Sequence, residues 1–508
     1  LQKRLLYFLL ALISFFAVYL RLHTLGEPLE GDITTYAYVS HRLLEGASLY
    51  TDVFDHKPPA IFWAYAAGEI FLGYEPLAIF ALGAVFTLIS IVFLFLFLKT
   101  IASEATALIG AGIWVVASNA HLLEANQPNA ELFLNAFLFI SLWAYALHRT
   151  RGGSVLPVVS GASFALATLF KMIAVFPLLA FIAYSVIRPT AQGMAKFKEA
   201  GLVLLPVVFG WLAVFTYYIA VGRFGDFWEA VFIFNMDYAG GGVARNLFKY
   251  LSSPGYIFHF AQAEVLALFI LAGLWVALGR REYNGLSRLF FGFLAFSLII
   301  EVSSPGQFWG HYYQLYLPAL VIFSALFFHE MLDLVRPPKR VLAGVVFASA
   351  LVLVTASLAR PQIKYLGMST DEISLYKYQR STFVDAREAG EYIKGITCPD
   401  DFIYEAGSET GVYYYSKRRA TAPVFILSHI YVGPEEKGLR RAEGVIKALK
   451  DEPPAVFIWD AWRGVIENTA FHEVVEGKYA RVRDFGMFNV YALKGKTAVD
   501  AKLECGGT

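Results

Sequence analysis

Charged side chains are sparse in this chain, yet two short stretches near its start are rich in them. The first, "PLEGDITTYAY", sets Glu30 and Asp32 on either side of Gly31. The second, "YTDVFDHKPPAIFWAY" at 50–65, places Asp52, Asp55, His56 and Lys57 directly before Pro58, Pro59 and an apolar aromatic run. An Asp held at a membrane boundary is suited to accept a proton from a hydroxyl nucleophile. An Asp just before a helix is equally a good N-cap, so both readings of Asp32 stand. Lys57 reads either as a snorkelling cation at headgroup level or as a contact for a lipid-linked phosphate. The prolines after it restrict the backbone and fix where Asp55, His56 and Lys57 point.

Further along, "HLLEANQPNAE" carries Glu124, Asn126, Asn129 and Glu131 ahead of an apolar run, and Glu131 either complements a helix N-terminus or lines a polar site. "HYYQLYLPAL" begins with His311, and Lys171, Arg223, Arg245 and Lys249 are further cations beside apolar segments. A charge against a span is a functional suspicion by default, with loop placement the competing reading for Lys171. No clustered His and carboxylate set is apparent in these loops, so no metal is expected.

The elements that must hold these residues follow from composition. Of 508 residues, 57% are hydrophobic, 16% aromatic and 16% charged, and the mean hydropathy is +0.54. Those values describe a polytopic α-helical membrane protein. The net charge of +1 offers no basic field for nucleic acid. A span needs about 20 mostly apolar residues. On that template eleven are predicted, near 4–22, 79–98, 105–122, 131–147, 154–170, 172–187, 200–221, 256–279, 287–302, 311–333 and 340–359. The first is read as an anchor rather than a signal peptide, since no small-residue cleavage site follows it.

Basic residues such as Lys3, Arg4, Lys99, Arg149, Arg188 and Arg280 then fall on the inner side. The loop 23–78, the stretch 121–131, the loop 222–255 and everything after Arg360 face outward. Counting 58–73 as a span would invert every later loop, so it is read as an interfacial or re-entrant helix. A short helix from Ile33 to Glu45, with Tyr36, Val39, Leu43 and Leu44 on one face, is expected to lie on the bilayer surface. The chain thus divides into a membrane domain, 1–360, and an outer tail, 361–508. In the tail, β-type runs "DFIYEAG", "PAVFIWD" and "FGMFNVYAL" alternate with helical patterns "DAREAGEYIKGI" and "GLRRAEGVIKAL", a soluble α/β domain. Its Tyr404, Tyr413, Trp459 and Trp462 are candidates for carbohydrate contact. Cys398 and Cys505 are free to pair if that end lies in an oxidising compartment.

In order and topology, "EGDITTYAY", "LLEGASLYTDVFDHKPPAIFWAY", "NQPNAELFLNAF" and "HYYQLYLPAL" resemble the GT-C superfamily of membrane glycosyltransferases. The likeness is to the branch holding the lipid A aminoarabinose transferase, the protein O-mannosyltransferases and dolichyl-phosphate-mannose-type transferases, and it covers about residues 4 to 335.

The resemblance implies a GT-C fold, Asp32 as catalytic base, and Lys57, His311 and Arg245 at the donor phosphate. Glu30, Tyr36, Asp55, His56 and Glu131 are then expected on the substrates. The frequent Asp-Glu doublet is missing, because Ile33 follows Asp32. The implied reaction is inverting, cofactor-free transfer of a sugar from a polyprenyl-phosphate monosaccharide to a hydroxyl on a glycan, lipid or protein. The location expected with it is the outer face of the plasma (inner) membrane.

Three rival readings accompany this one: a transporter or flippase, another lipid-dependent transferase, and a structural or accessory subunit. A lipid or glycan flippase also has many spans, but an outer α/β domain is rare in one and no inverted repeat is apparent. An O-antigen-ligase-type transferase would use a lipid diphosphate donor. A phosphoethanolamine transferase would need a larger metal-binding domain than a tail whose histidines are His429 and His472.

Overall fold

A computed structural model describes residues 3–495 apart from 121–122, 189–192, 254, 257–262, 279–281, most of 336–361 and 461–468. The first half runs α1 (Lys3–Tyr19), α2 (Gly31–Leu44), α3 (Ala60–Leu72), α4 (Pro76–Ile101), α5 (Glu104–Ala117), α6 (Ala130–Arg151), α7 (Val155–Phe170), α8 (Val175–Ile187) and α9 (Ala195–Ala220). Short helices Phe224–Trp228, Phe234–Ala239 and Gly242–Ser252 follow, then the longer Ala263–Leu278, Arg288–Ser303 and Leu317–Val335.

Among the described residues, five segments are long and apolar enough to cross a membrane: Lys3–Leu25, Pro76–Ile101, Ala130–Arg151, Ala195–Ala220 and Gly310–Asp333. Shorter apolar helices occupy other predicted spans, among them Glu104–Ala117, Val155–Phe170 and Met172–Ile187. The predicted span 340–359 lies almost wholly outside the described residues. The 13 residues of α3 rise about 20 Å, short of a hydrocarbon core of about 30 Å. α5 and α8, which occupy predicted spans, are equally short, at 14 and 13 residues. Gly73 ends α3 at φ +81°, a conformation that glycine adopts without a Cβ penalty.

The helix that carries Asp32 departs from expectation in start and setting. It begins at Gly31 rather than Ile33, with Glu30 as its N-cap, the Glu30 carboxylate accepting from the Asp32 N–H at 2.8 Å. It does not lie on a lipid surface: every residue from Ile33 to Ser40 is buried. Two elements cover it: α3, whose Phe62 and Tyr65 rings sit 6.2 and 5.6 Å from the ring of Tyr36, and the tail, whose Tyr413 and Phe425 rings sit 5.3 and 4.9 Å from the ring of Tyr38.

The tail folds as a sheet of β1 (Phe402–Ala406), β2 (Arg419–Ala420), β3 (Val456–Asp460), β4 (Tyr479–Phe485) and β5 (Phe488–Leu493). Its strand order is β2-β1-β3-β5-β4. β1 pairs in parallel with β2 and β3, and the β4–β5 hairpin closes the other edge antiparallel. Helices Thr382–Ile396 and Glu435–Asp451 form where the sequence shows helical periodicity. Burial overturns part of the carbohydrate-contact expectation, because Tyr404 and Tyr413 are both 0% exposed and belong to the core. Trp462 and Cys505 lie outside the described residues.

Candidate active site

Asp32 stands in the first turn of α2, where the backbone of Glu30 and Gly31 fixes its direction. Its Oδ2 accepts a hydrogen bond from Tyr36, one turn on, at 3.1 Å. The same oxygen lies 3.9 Å from Lys57 Nζ and 3.7 Å from His311 Nε2. Among the described residues, no hydrogen bond falls on Oδ1, and the side chain remains 35% exposed. One oxygen is held and the other is available to a ligand. Because Glu30 supplies the cap, Asp32 is released from the capping role.

Burial opposes ionisation of Asp32, but Lys57, His311 and Lys171 outweigh it and hold the carboxyl below the usual range, at about 2. Glu30 moves the other way: burial and the charge of Asp32 push it up to about 7. Its second oxygen accepts from Asn129 at 3.0 Å, so both of its oxygens serve the scaffold rather than a substrate.

Lys57 is aimed by its own loop. Asp55, 2% exposed, accepts from the Lys57 N–H at 2.8 Å, and Tyr50 donates to the Lys57 carbonyl at 2.9 Å. Asp55, expected on the substrate, is therefore the brace of this turn, and burial raises its pKa. Burial lowers the pKa of Lys57, but Asp32 and Asp55 more than reverse this, so it stays a cation. His56 stacks between Phe234 and Tyr238 at 5.3 Å from each, and its ring meets the tail's His429 at 5.1 Å. Burial and the nearby Lys57 charge keep both imidazoles neutral, His429 at about 3.

A cavity of about 780 Å³ opens beside this cluster. Its polar side includes the cations Lys57, Lys171 and Arg245, the carboxylate of Asp237, and His56, Asn235, Tyr238 and Tyr312, and its apolar side includes Ile173, Val175, Phe176, Phe232 and Val243. Lys171, at the break between α7 and the next apolar helix, pairs with Glu131 and lies 3.8 Å from the centre of the Tyr312 ring. Lys171 thus has the loop position and is also a buried cation in the cavity wall. Glu131 is 1% exposed and is taken up by Lys171, behind the cavity lining rather than on it.

His311 also departs from its expected place. It does not line the cavity; its Nδ1 bonds Glu124 at 3.0 Å while Nε2 faces Asp32. Glu30, Glu124 and His311 bring three ligand-type atoms within 4.8 Å of one another, a grouping that the sequence did not reveal. Their separation of up to 281 positions along the chain hides it. Sequence reasoning also missed Tyr238 and the tail's Thr410; Tyr312 stood in the quoted "HYYQLYLPAL", one position past the residue chosen.

Residues 56–219 match the family of dolichyl-phosphate-mannose-protein mannosyltransferases, a match that starts at the His56–Lys57 pair. Among curated proteins, none matches the chain by sequence. The crystal structure of ArnT from Cupriavidus metallidurans bound to undecaprenyl phosphate is similar over 95% of this chain and 97% of that one, with 17% identity and a TM-score of 0.61. Its apo form gives 16% identity, the same coverage and a TM-score of 0.58. The apo oligosaccharyltransferase of Archaeoglobus fulgidus covers 91% of this chain and 70% of its own, with 12% identity and a TM-score of 0.50. This chain has the ArnT-like GT-C fold.

Proposed function

We propose that the chain transfers a sugar from a polyprenyl-phosphate monosaccharide to a hydroxyl acceptor, with inversion, at the outer face of the membrane. The observation that carries this reading is Asp32 Oδ2 at 3.9 Å from the Nζ of Lys57, which lines a cavity with an apolar side and a polar side of three cations and one carboxylate, Asp237. A lipid-linked phosphate has the matching form, a greasy tail and a charged head. The undecaprenyl phosphate held by ArnT in its crystal structure supports the same ligand class.

In the proposed reaction the acceptor hydroxyl gives its proton to Asp32 Oδ1 as its oxygen attacks the anomeric carbon. The bond from that carbon to the phosphate oxygen breaks on the opposite face, and the electron pair leaves with the phosphate. Lys57, Lys171 and Arg245 meet the developing charge, so the leaving group needs no protonating acid. A carboxylate at about 2 is a weak base. An arriving phosphate anion beside Lys57 offsets the charge that depresses it and raises its basicity. His311, bonded to Glu124, is assigned to orienting Asp32 rather than to the phosphate. Residues 1–360 form the membrane unit and 361–508 the outer one in this reading.

The test is release of free polyprenyl phosphate from synthetic polyprenyl-phosphate sugars by detergent-purified protein. Wild type should turn over, and a folded Asp32→Asn should lose about 10²–10⁴-fold in kcat. Absence of release by wild type with hydroxyl-rich acceptors, together with retention of a lipid diphosphate, would instead favour a ligase or flippase.

A further inference from the structure

One hydroxyl of the tail sits directly on the turn that carries Asp32. Thr410, between β1 and the helix Gly411–Ser416, is 1% exposed. Its Oγ1 lies 2.8 Å from the Gly31 carbonyl, 2.7 Å from Thr34 Oγ1 and 2.9 Å from Thr35 Oγ1. Thr34 and Thr35 also approach the Gly31 carbonyl, at 3.0 and 2.7 Å. Three hydroxyl protons meet one carbonyl oxygen with two lone pairs, so at least one proton must go elsewhere. Its outlets are a neighbouring hydroxyl or the Glu30 carbonyl, 3.2 Å from Thr34 Oγ1. The three rotors are therefore coupled, and each fixes the others.

Every backbone acceptor in this knot belongs to Glu30 or Gly31, the two residues immediately before Asp32. Other tail contacts grip the same helix and the residues leading into it. The Leu29 N–H donates to Tyr415 at 2.9 Å, and the Ala420 N–H donates to Tyr38 at 2.8 Å. The opposite side of the turn carries Asp32 toward Tyr36, Lys57 and His311.

We infer that Thr410 is a positioning residue for the base: its hydroxyl locks the first turn of α2 and so sets Asp32 against Lys57. The inference rests on the proposed role of Asp32. A misplacement of about 1 Å in a reacting group can cost about 100-fold in rate, so a clamp of this kind acts on kcat. It also makes the tail a component of the active site rather than a cover.

Valine fills the space of threonine without its hydroxyl, and serine keeps the hydroxyl without the methyl group. Full-length Thr410→Val should lose about tenfold or more in kcat with its donor KM within about twofold of wild type, while Thr410→Ser stays within about threefold. Amide hydrogen exchange at residues 31–35 should quicken in Thr410→Val and not in Thr410→Ser. Equal impairment of the two variants would overturn the proposal, as would unchanged exchange in Thr410→Val. So would unchanged kcat in that variant alongside an inactive Asp32→Asn. If wild type itself shows no turnover, the transferase reading fails, and the exchange data still decide whether Thr410 holds the turn.

Discussion

Replacing Glu409 by Gln probes the electrostatics of the contact between the tail and the first turn of α2. Glu409 is 7% exposed and packs at Gly31, where an added Cβ would sit 3.4 Å from its Oε1. Burial, and next the charge of Glu30, push its carboxyl up to about 8 from an ordinary 4.5, with Arg380 offsetting only part. The native protein keeps this proton up to about pH 8, whereas the unfolded chain releases it near 4.5. The unfolded state therefore binds fewer protons across that window, and wild-type stability falls as pH rises through it. At about 1.36 kcal/mol per pH unit the cost reaches on the order of 3 kcal/mol at pH 7 and 5 kcal/mol above pH 8. Glutamine cannot ionise and lacks this slope, and its carbonyl can keep the hydrogen bond that the Gly411 N–H gives the carboxylate. Thermal denaturation in detergent from pH 5 to 8.5 should show the two proteins close at pH 5 and Glu409→Gln higher by several degrees at pH 8. Curves that stay parallel across the range would refute the reasoning.

Two further perturbations address the cavity wall. Lys57→Gln should raise the donor KM about tenfold or more by removing a cation from the phosphate. It should also move the acid limb of kcat/KM to higher pH, since Lys57 is the largest charge holding Asp32 low; an unmoved limb would mean that the two groups are not coupled. Glu131→Gln leaves the Lys171 ammonium buried without its partner and should destabilise by about 3–5 kcal/mol. Adding Lys171→Met should recover most of that loss in the denaturation midpoint.

The fold was legible where the signal is local. Alternating apolar runs gave β1, β3 and β5, helical spacing gave Thr382–Ile396 and Glu435–Asp451, and long apolar runs gave the membrane helices. The setting of α2 was not, because its apolar face suits lipid and protein equally and part of the protein covering it, Tyr413 and Phe425, lies more than 360 residues later. Around the site, Asp32 and Lys57 stood out through their neighbours in sequence. Asp55 and Glu131 looked the same as substrate contacts in sequence, yet one braces a turn and the other pairs with a lysine.

The sequence by itself determined a membrane chain with an α/β tail pattern and two short loops rich in acids and bases, since composition and periodicity are properties of neighbouring residues. Only the tertiary structure decided which oxygen of Asp32 is held, that Glu30 rather than Asp32 caps the helix, and that His311 faces Glu124 instead of the cavity. It alone joined Thr410 to Gly31 across 379 positions. Hydrogen bonds of this kind depend on distances of a few tenths of an ångström between segments remote in sequence, and no local pattern encodes them.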